Sequence, residues 1–489
     1  MIRLFVPTSW KQPHWSPLFR TDTWRRTGFF IFWLLYTVFF FRMTRTGFRS
    51  WFSEDDLLNT YYCWWRPTSY LLRSNILLVG NYYRPAAELV YCGSHWFFGF
   101  NPVPLNIFRF VLGAVNLAVL YCFVARISRS REAGVIAVIL GGYHPSTELL
   151  FVDGGMLYDG MAFFFFYVAF TIYVRCRLDA RAPTVKMTAG ILALNILALN
   201  SKEIAVSFPV ALLLFELILT RDTQMPFWPR YRLILISSVI VLAFIIGKTT
   251  GPDSLTLQSE YRPTLSLALY LATYSRYAAE FLLGIPSEAI RPWLVSILTG
   301  CIVLAALARQ RVLLWAALFN VFAILPIAFI PARGGFAFAV PLAGWLTYIA
   351  VLVSWLRSKL TLGRIHLRVP SQMAVAAIIS LTVLRPYAEF TREMLRPNVH
   401  TQQDFNRGLW ESLMASLPAS VKHRKILLLH DPMKLGYASM FLIRLGYNER
   451  DVTVDTDRRL GERNLPVTPG AYDFVFDYVD GKFSLSRTF

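Results

Sequence analysis

The chain has 489 residues, 55% of them hydrophobic and only 16% charged, and its mean hydropathy of +0.45 excludes an ordinary soluble domain. Its net charge of +19 does not point to nucleic acid, because Lys and Arg fall in short clusters between apolar stretches, as topology signals do. Residues 1–26 are polar and basic, with Lys11, Arg20, Arg25 and Arg26 and no separate apolar segment ending in a small-residue cleavage site, so the first span reads as an uncleaved anchor.

A helix rises ~1.5 Å per residue, so a hydrocarbon core of roughly 30 Å needs about 15–22 mostly apolar residues. About eleven such stretches are found, near 27–41, 104–125, 133–150, 156–174, 187–200, 204–220, 233–247, 292–308, 312–330, 336–356 and 370–386. Threading them puts Arg25/Arg26, Arg126/Arg129/Arg131, Arg175/Arg177/Arg181/Lys186, Arg221/Arg230/Arg232, Arg309/Arg311 and Arg357/Lys359/Arg364/Arg368 on one side. Lys and Arg near span ends are retained in the cytoplasm, so the N-terminus is expected inside and the C-terminus outside. The predicted fold is an α-helical polytopic membrane protein. It has a cytoplasmic segment 1–26, a transmembrane domain 27–386 and an external α/β module 387–489.

The external loop 42–103 mixes aromatic and apolar residues at helical spacing from Leu57 to Gly99, as interfacial helices do. In the external loop 248–291, Leu265 to Leu283 reads as another interfacial helix, since counting it as a span would put Arg309 and Arg311 outside. The tail changes character. Lys425 to His430 reads as a buried strand, Leu435 to Leu445 as a helix ending at Gly446, and Asp451 to Asp455 as a second strand. Tyr472 to Tyr478 and Lys482 to Leu485 flank Asp480-Gly481, a hairpin signal because Gly accepts positive φ. No internal repeat or low-complexity tract is found.

Ionisable groups at membrane depth are costly and mark sites. The threading gathers several on the external face: Asp55 and Asp56 after the first span, Arg84, His144 and Glu148, Asp153 and Asp159, Lys202 and Glu203, and Arg333. A carboxylate there can take a proton from an acceptor, while Arg and Lys hold a phosphate leaving group. Each also has a plainer reading. Asp55 and Asp56 can cap a helix, Arg84 can snorkel to headgroups, Lys202 and Glu203 can pair with each other, and His144 can be a satisfied buried imidazole.

Taken together, Asp55-Asp56, Tyr83-Arg84-Pro85, His144-Pro145 with Glu148, and Ser201-Lys202-Glu203 running to Pro209 occur in an order that resembles integral-membrane glycosyltransferases of the GT-C class. The likeness is to protein O-mannosyltransferases and their tetratricopeptide-bearing relatives, over roughly residues 25–350. It implies a GT-C-like fold and transfer of a sugar from a polyprenyl-phosphate donor to a protein, lipid or glycan acceptor at the external face. Asp55 is then the general base, by analogy with the leading acid of the family pair, and Asp56 orients an acceptor or Arg84. Arg84, Lys202 and Arg333 would hold phosphate, and Pro331-Ala332-Arg333-Gly334-Gly335 resembles the loop that brings an Arg to the donor. The Gly-Arg-x-Asp-Leu element of the relatives is replaced by Asp153-Gly154-Gly155-Met156-Leu157-Tyr158-Asp159, without the Arg, and no 34-residue period is present.

No cofactor is expected: the seven His are scattered, the five Cys form no Cys-x-x-Cys cluster, and the resemblance implies a metal-independent reaction, the alternative being a divalent cation held by the oxygens of Asp55, Asp56 and Glu203. Cys63 and Cys92 share the first external segment, where an oxidising compartment permits a disulfide. Expected partners are the lipid-linked donor, the acceptor and the bilayer. The short tail fits a bacterial inner membrane, and an endoplasmic-reticulum membrane would obey the same topology. Two alternatives stay open: a transporter or flippase of lipid-linked sugars, and a lipid-glycan polymerase or ligase using a diphosphate donor.

Overall fold

The computed structural model describes residues 34, 36–38, 41, 42, 44–76, 84–144, 147, 150, 154–220, 225–250, 254–257, 261–282, 286–331, 339–360, 385–433 and 437–488. The external segment opens with helices α1 (Glu54–Trp65), α2 (Thr68–Ile76) and α3 (Pro85–Phe98). The helical body follows with α4 (Val103–Ile127), α5 (Arg131–Tyr143), α6 (Leu157–Leu178), α7 (Val185–Ser201), α8 (Phe208–Ile218) and α9 (Phe227–Thr249). It closes with α10 (Leu267–Phe281), α11 (Leu294–Leu307), α12 (Arg311–Ala323) and α13 (Ala339–Leu360).

Among the described residues, six helical stretches are long and apolar enough to cross a bilayer: Val103–Ile127, Gly154–Leu178, Phe227–Thr249, Ser287–Leu307, Arg311–Ala328 and Ala339–Arg357. With the small C-terminal sheet described below, they define a multi-pass helical membrane protein. The other expected spans fare differently. Those near 27–41 and 370–386 fall largely outside the described residues. The stretch near 133–150 is described in part, as the 13 residues of α5, capped by Ser130, whose hydroxyl accepts from the Ala133 N–H. The stretches near 187–200 and 204–220 are separated by a break at Lys202, whose backbone is extended, followed by a 3-10 turn at Glu203–Ser207. The core of the body is aromatic, with Trp315 stacked on Phe319 at 5.0 Å and Phe166 and Phe170 packed edge-on against Phe208.

Beyond the body come α14 (Arg385–Ser416), β1 (Lys425–Leu429), α15 (Ala438–Tyr447), β2 (Thr453–Thr456), α16 (Asp457–Glu462), β3 (Phe474–Val479) and β4 (Lys482–Thr488). The sheet order is β2-β1-β3-β4, parallel across the first three strands, with β4 antiparallel to β3. Central β1 is buried on both faces, which is why it reads as an unbroken Ile-Leu-Leu run. Asp480 and Gly481 form the expected hairpin turn, both at positive φ, 51° and 81°.

Two expectations are corrected. α15 does not end at Gly446: it runs on to Tyr447, and Asn448 takes the left-handed capping position. Gly446 is small for another reason, since a side chain there would collide with the Trp410 indole. α1 turns one apolar face to the C-terminal module rather than to lipid. Its Leu57, Tyr61 and Trp64 join Leu409, Leu413, Leu428, Phe441, Phe476 and others in one buried cluster, so the module covers it. α10 forms within the expected 265–283 stretch, and its Tyr274 and Tyr277 are buried in the helical core.

Candidate active site

The sequence Ser53-Glu54-Asp55-Asp56 opens α1 as a capping box. The Asp56 N–H donates to Ser53 Oγ at 3.2 Å, and the Ser53 N–H donates to Asp56 Oδ2 at 2.9 Å. Three consecutive acids then leave in three directions. Glu54 turns to the C-terminal module, accepting from Gln402 Nε2 of α14 at 3.1 Å. Asp56 turns into the body and is fully buried. Its Oδ1 lies 2.9 Å from the Tyr91 hydroxyl, and Arg109 Nη1 of α4 stands 3.7 Å from Oδ2. Asp55, between them, remains exposed.

The turn Gly154–Met156 that leads into α6 passes directly under both acids. The Tyr91 hydroxyl also lies 2.9 Å from the Gly154 carbonyl oxygen, and a Cβ at Gly154 would overlap the Asp56 carboxylate. At Gly155 a Cβ would lie 2.7 Å from Asp55 Oδ2. The lack of side chains at this glycine pair is what lets the turn approach the two carboxylates.

One helical turn further, roughly 6 Å along the axis, the same helix meets a second set of charges. Arg84 caps α3 with φ 51° and ψ 57°, a left-handed conformation that costs a non-glycine residue roughly 1–2 kcal/mol. That backbone aims its guanidinium at Glu203, with Nε 3.3 Å from Oε1 and Nη2 3.1 Å from Oε2, and lays it over the Tyr158 ring at 4.9 Å. Lys202 Nζ donates to Asp159 Oδ2 at 3.0 Å. Asp159 is 1% exposed, and its Oδ1 has no hydrogen-bond partner among the described residues. Lys248, at the end of α9, lies within electrostatic range of Glu203 and Arg84.

Burial alone would raise the Glu203 carboxyl, but Arg84 and Lys202 outweigh it and hold it down to about 2. The Lys202 ammonium is lowered by burial and by Arg84, against the pull of Asp159 and Glu203. The break at Lys202 produces this geometry: an uninterrupted helix would carry Lys202 and Glu203 to different faces, whereas the extended residue and 3-10 turn present both to the neighbouring helices.

The structure therefore brings together Asp55, Asp56, Arg84, Lys202 and Glu203, with Asp159. It sets His144 in a hydrophobic seat, Nε2 3.2 Å from the Phe281 carbonyl oxygen and the ring stacked on that of Phe281 at 5.7 Å. Glu148, Asp153 and Arg333, like Tyr83 and Pro145, lie outside the described residues. Cys63 and Cys92 form a disulfide that ties α1 to α3. Arg109, Tyr91 and Lys248 escaped the sequence reading. Arg109 had a signal, being the single charge in the apolar stretch 104–125. Among the described residues no group of His, Cys, Asp and Glu is arranged to hold a metal ion.

These features define an integral membrane protein with a charge cluster around Arg84 and Lys202 and an exposed carboxylate, Asp55, near it. Neither a protein-family model nor a curated protein matches the chain.

Proposed function

We propose that the protein is a glycosyltransferase of the GT-C type, moving a sugar from a polyprenyl-phosphate donor to an acceptor at the external membrane face. The observation that carries this reading is the first turn of α6, which holds Asp55 above Gly155 at one end and the Arg84–Glu203 and Lys202–Asp159 pairs at the other. Asp55 accepts the proton of the acceptor X–H as X attacks the anomeric carbon. The bond from that carbon to the phosphate oxygen breaks, its electron pair leaves with the polyprenyl phosphate, and the anomeric configuration inverts. Arg84 and Lys202, aided by Lys248, stabilise the departing charge. Asp56, already engaged by Ser53, Tyr91 and Arg109, positions Asp55 without touching substrate.

Three cations against two carboxylates leave one net positive charge in the cluster, which suits a phosphodiester better than a diphosphate. The Cys63–Cys92 disulfide supports an oxidising compartment for this face and hence a cytoplasmic N-terminus, as the basic clusters also imply. A bacterial inner membrane fits both.

The test is transfer of radiolabelled sugar in proteoliposomes from a panel of synthetic polyprenyl-phosphate donors. Asp55→Asn is expected to lower turnover by about 10²–10⁴ while donor binding survives, the size of a general-base contribution. Arg84→Ala is expected to raise donor KM and lower turnover together. One observation favours the flippase alternative. Asn195, midway along α7, is fully buried with neither amide atom hydrogen-bonded among the described residues, the kind of polar group a path across the bilayer needs. Movement of labelled lipid between leaflets, with no product from any donor, would replace the enzyme reading with that one.

A further inference from the structure

The end of α4 opposite Arg126, Arg129 and Arg131 is also basic. Arg42 closes the first apolar stretch, and Arg45 and Arg49 bound a 3-10 turn directly after it. All three side chains are exposed, and among the described residues none of them has an ion-pair or hydrogen-bond partner. Residues 42–53 contain no acid. Topology does not explain the cluster: the proposed orientation places it outside, where Arg beside a span works against insertion.

Packing fixes this turn at the lipid edge. Phe48 lies 4.9 Å from Phe110 of α4 and 5.7 Å from Phe41, and Asn106 Nδ2 of α4 donates to the Ser50 carbonyl at 2.7 Å. From the same end of α4 an exposed apolar stripe runs down the helix through Val103, Ile107, Val111 and Val115. Just beyond the turn, Phe52 stacks on Phe100 at 4.7 Å, and Trp51 packs edge-on against the same ring at 5.8 Å. Phe100 belongs to the short link between α4 and the end of α3, where Trp96, Phe97 and Phe98 are exposed, Phe97 to 81%. At 14 residues α3 is too short to cross a bilayer, so these rings are not the flank of a span.

We propose that Arg42, Arg45 and Arg49, with the aromatic end of α3, form a docking surface for anionic phospholipid headgroups of the external leaflet. Guanidinium forks match phosphate oxygens, and Trp and Phe rings seat at the boundary between headgroups and acyl chains. Lipid is the occupant because the surface continues the apolar stripe of α4 and its charge is complementary to an anionic headgroup. Ser53 and the acids of α1 follow directly, so the surface sets the depth of the acidic segment relative to the headgroups. It stands on packing and charge and does not depend on what the site transfers.

The test places a fluorophore at Phe97→Cys in the full chain, with Cys122, Cys176 and Cys301 replaced by Ser and the Cys63–Cys92 disulfide kept. The protein is reconstituted in mixed phosphatidylglycerol and phosphatidylcholine bilayers in which one lipid or the other carries a nitroxide high on its acyl chain. Both lipids are expected to quench, with phosphatidylglycerol enriched at the label roughly fivefold, the weight of a basic residue near an anionic surface. Arg42→Gln, Arg45→Gln and Arg49→Gln together should abolish the enrichment, and the matching Lys substitutions should retain most of it. High salt should reduce it in the unsubstituted arginine background, a readout that needs no variant to fold. Quenching by neither lipid leaves the rings in water and a soluble anion as the partner of the arginines, which overturns the docking surface. Equal quenching by the two lipids, or an enrichment that survives both salt and the Gln substitutions, overturns the anionic headgroup as occupant.

Discussion

Two buried charge clusters tie this helical body together, and they differ in how completely their groups are used. Around Glu216 of α8 every carboxylate oxygen is occupied: Oε1 accepts from Tyr173 at 2.7 Å and Arg177 Nε at 2.5 Å, and Oε2 from Arg177 Nη2 at 3.0 Å, Thr220 at 2.6 Å and Arg230 Nε at 3.0 Å. Around Arg84 the carboxylates are engaged more sparingly. Among the described residues Asp159 keeps one oxygen without a hydrogen bond, and the Glu203 side chain is 24% exposed. A saturated cluster fixes helices. One with spare acceptors and solvent access has capacity for a ligand.

The sharpest way to break that contrast is at its two carboxylates. Glu216→Ala leaves Arg177 and Arg230 uncompensated in the interior and is expected to destabilise the body by about 3–5 kcal/mol, seen as a large fall in detergent melting temperature. Glu203→Gln should cost less stability and instead impair the sugar transfer proposed above. Equal melting losses would erase the distinction. Next in size is Gly154→Ala. The added methyl meets the Asp56 carboxylate, so a loss of about 1–3 kcal/mol is expected together with reduced transfer, and an unchanged melting temperature would show that the turn does not press on the acid. The smallest effect concerns the exposed His430–Asp477 pair of the module, 2.7 Å apart. The hydrogen bond and the charge of Asp477 raise the His430 imidazole above its ordinary 6.5. Its contribution is therefore full below pH 6.5 and lost as pH rises through the raised value. Amide exchange of β1 and β3 should quicken slightly over that window, and His430→Asn should remove the dependence.

What was legible in the sequence is mostly local. The Asp480-Gly481 turn needs only its own backbone, and the Ile-Leu-Leu run of β1 only its own hydrophobicity. Asp55, Arg84, Lys202 and Glu203 stood out because charge beside apolar spans is conspicuous. Their pairing did not: Arg84 meets Glu203 across 119 residues, and nothing near either one names the other. α1 misled for a physical reason, since an apolar helix face looks the same whether lipid or a folded module covers it. Gly446 misled because a glycine needed for close approach looks like one needed for a left-handed cap.

The cover over α1 also sets an order of events. Trp64 receives its partner Asn448 from 384 residues downstream. A ribosome will have released the whole helical body into the bilayer before the acidic segment gains its roof. Prematurely terminated chains would thus carry the Arg84–Glu203 pair and lack the cover over α1.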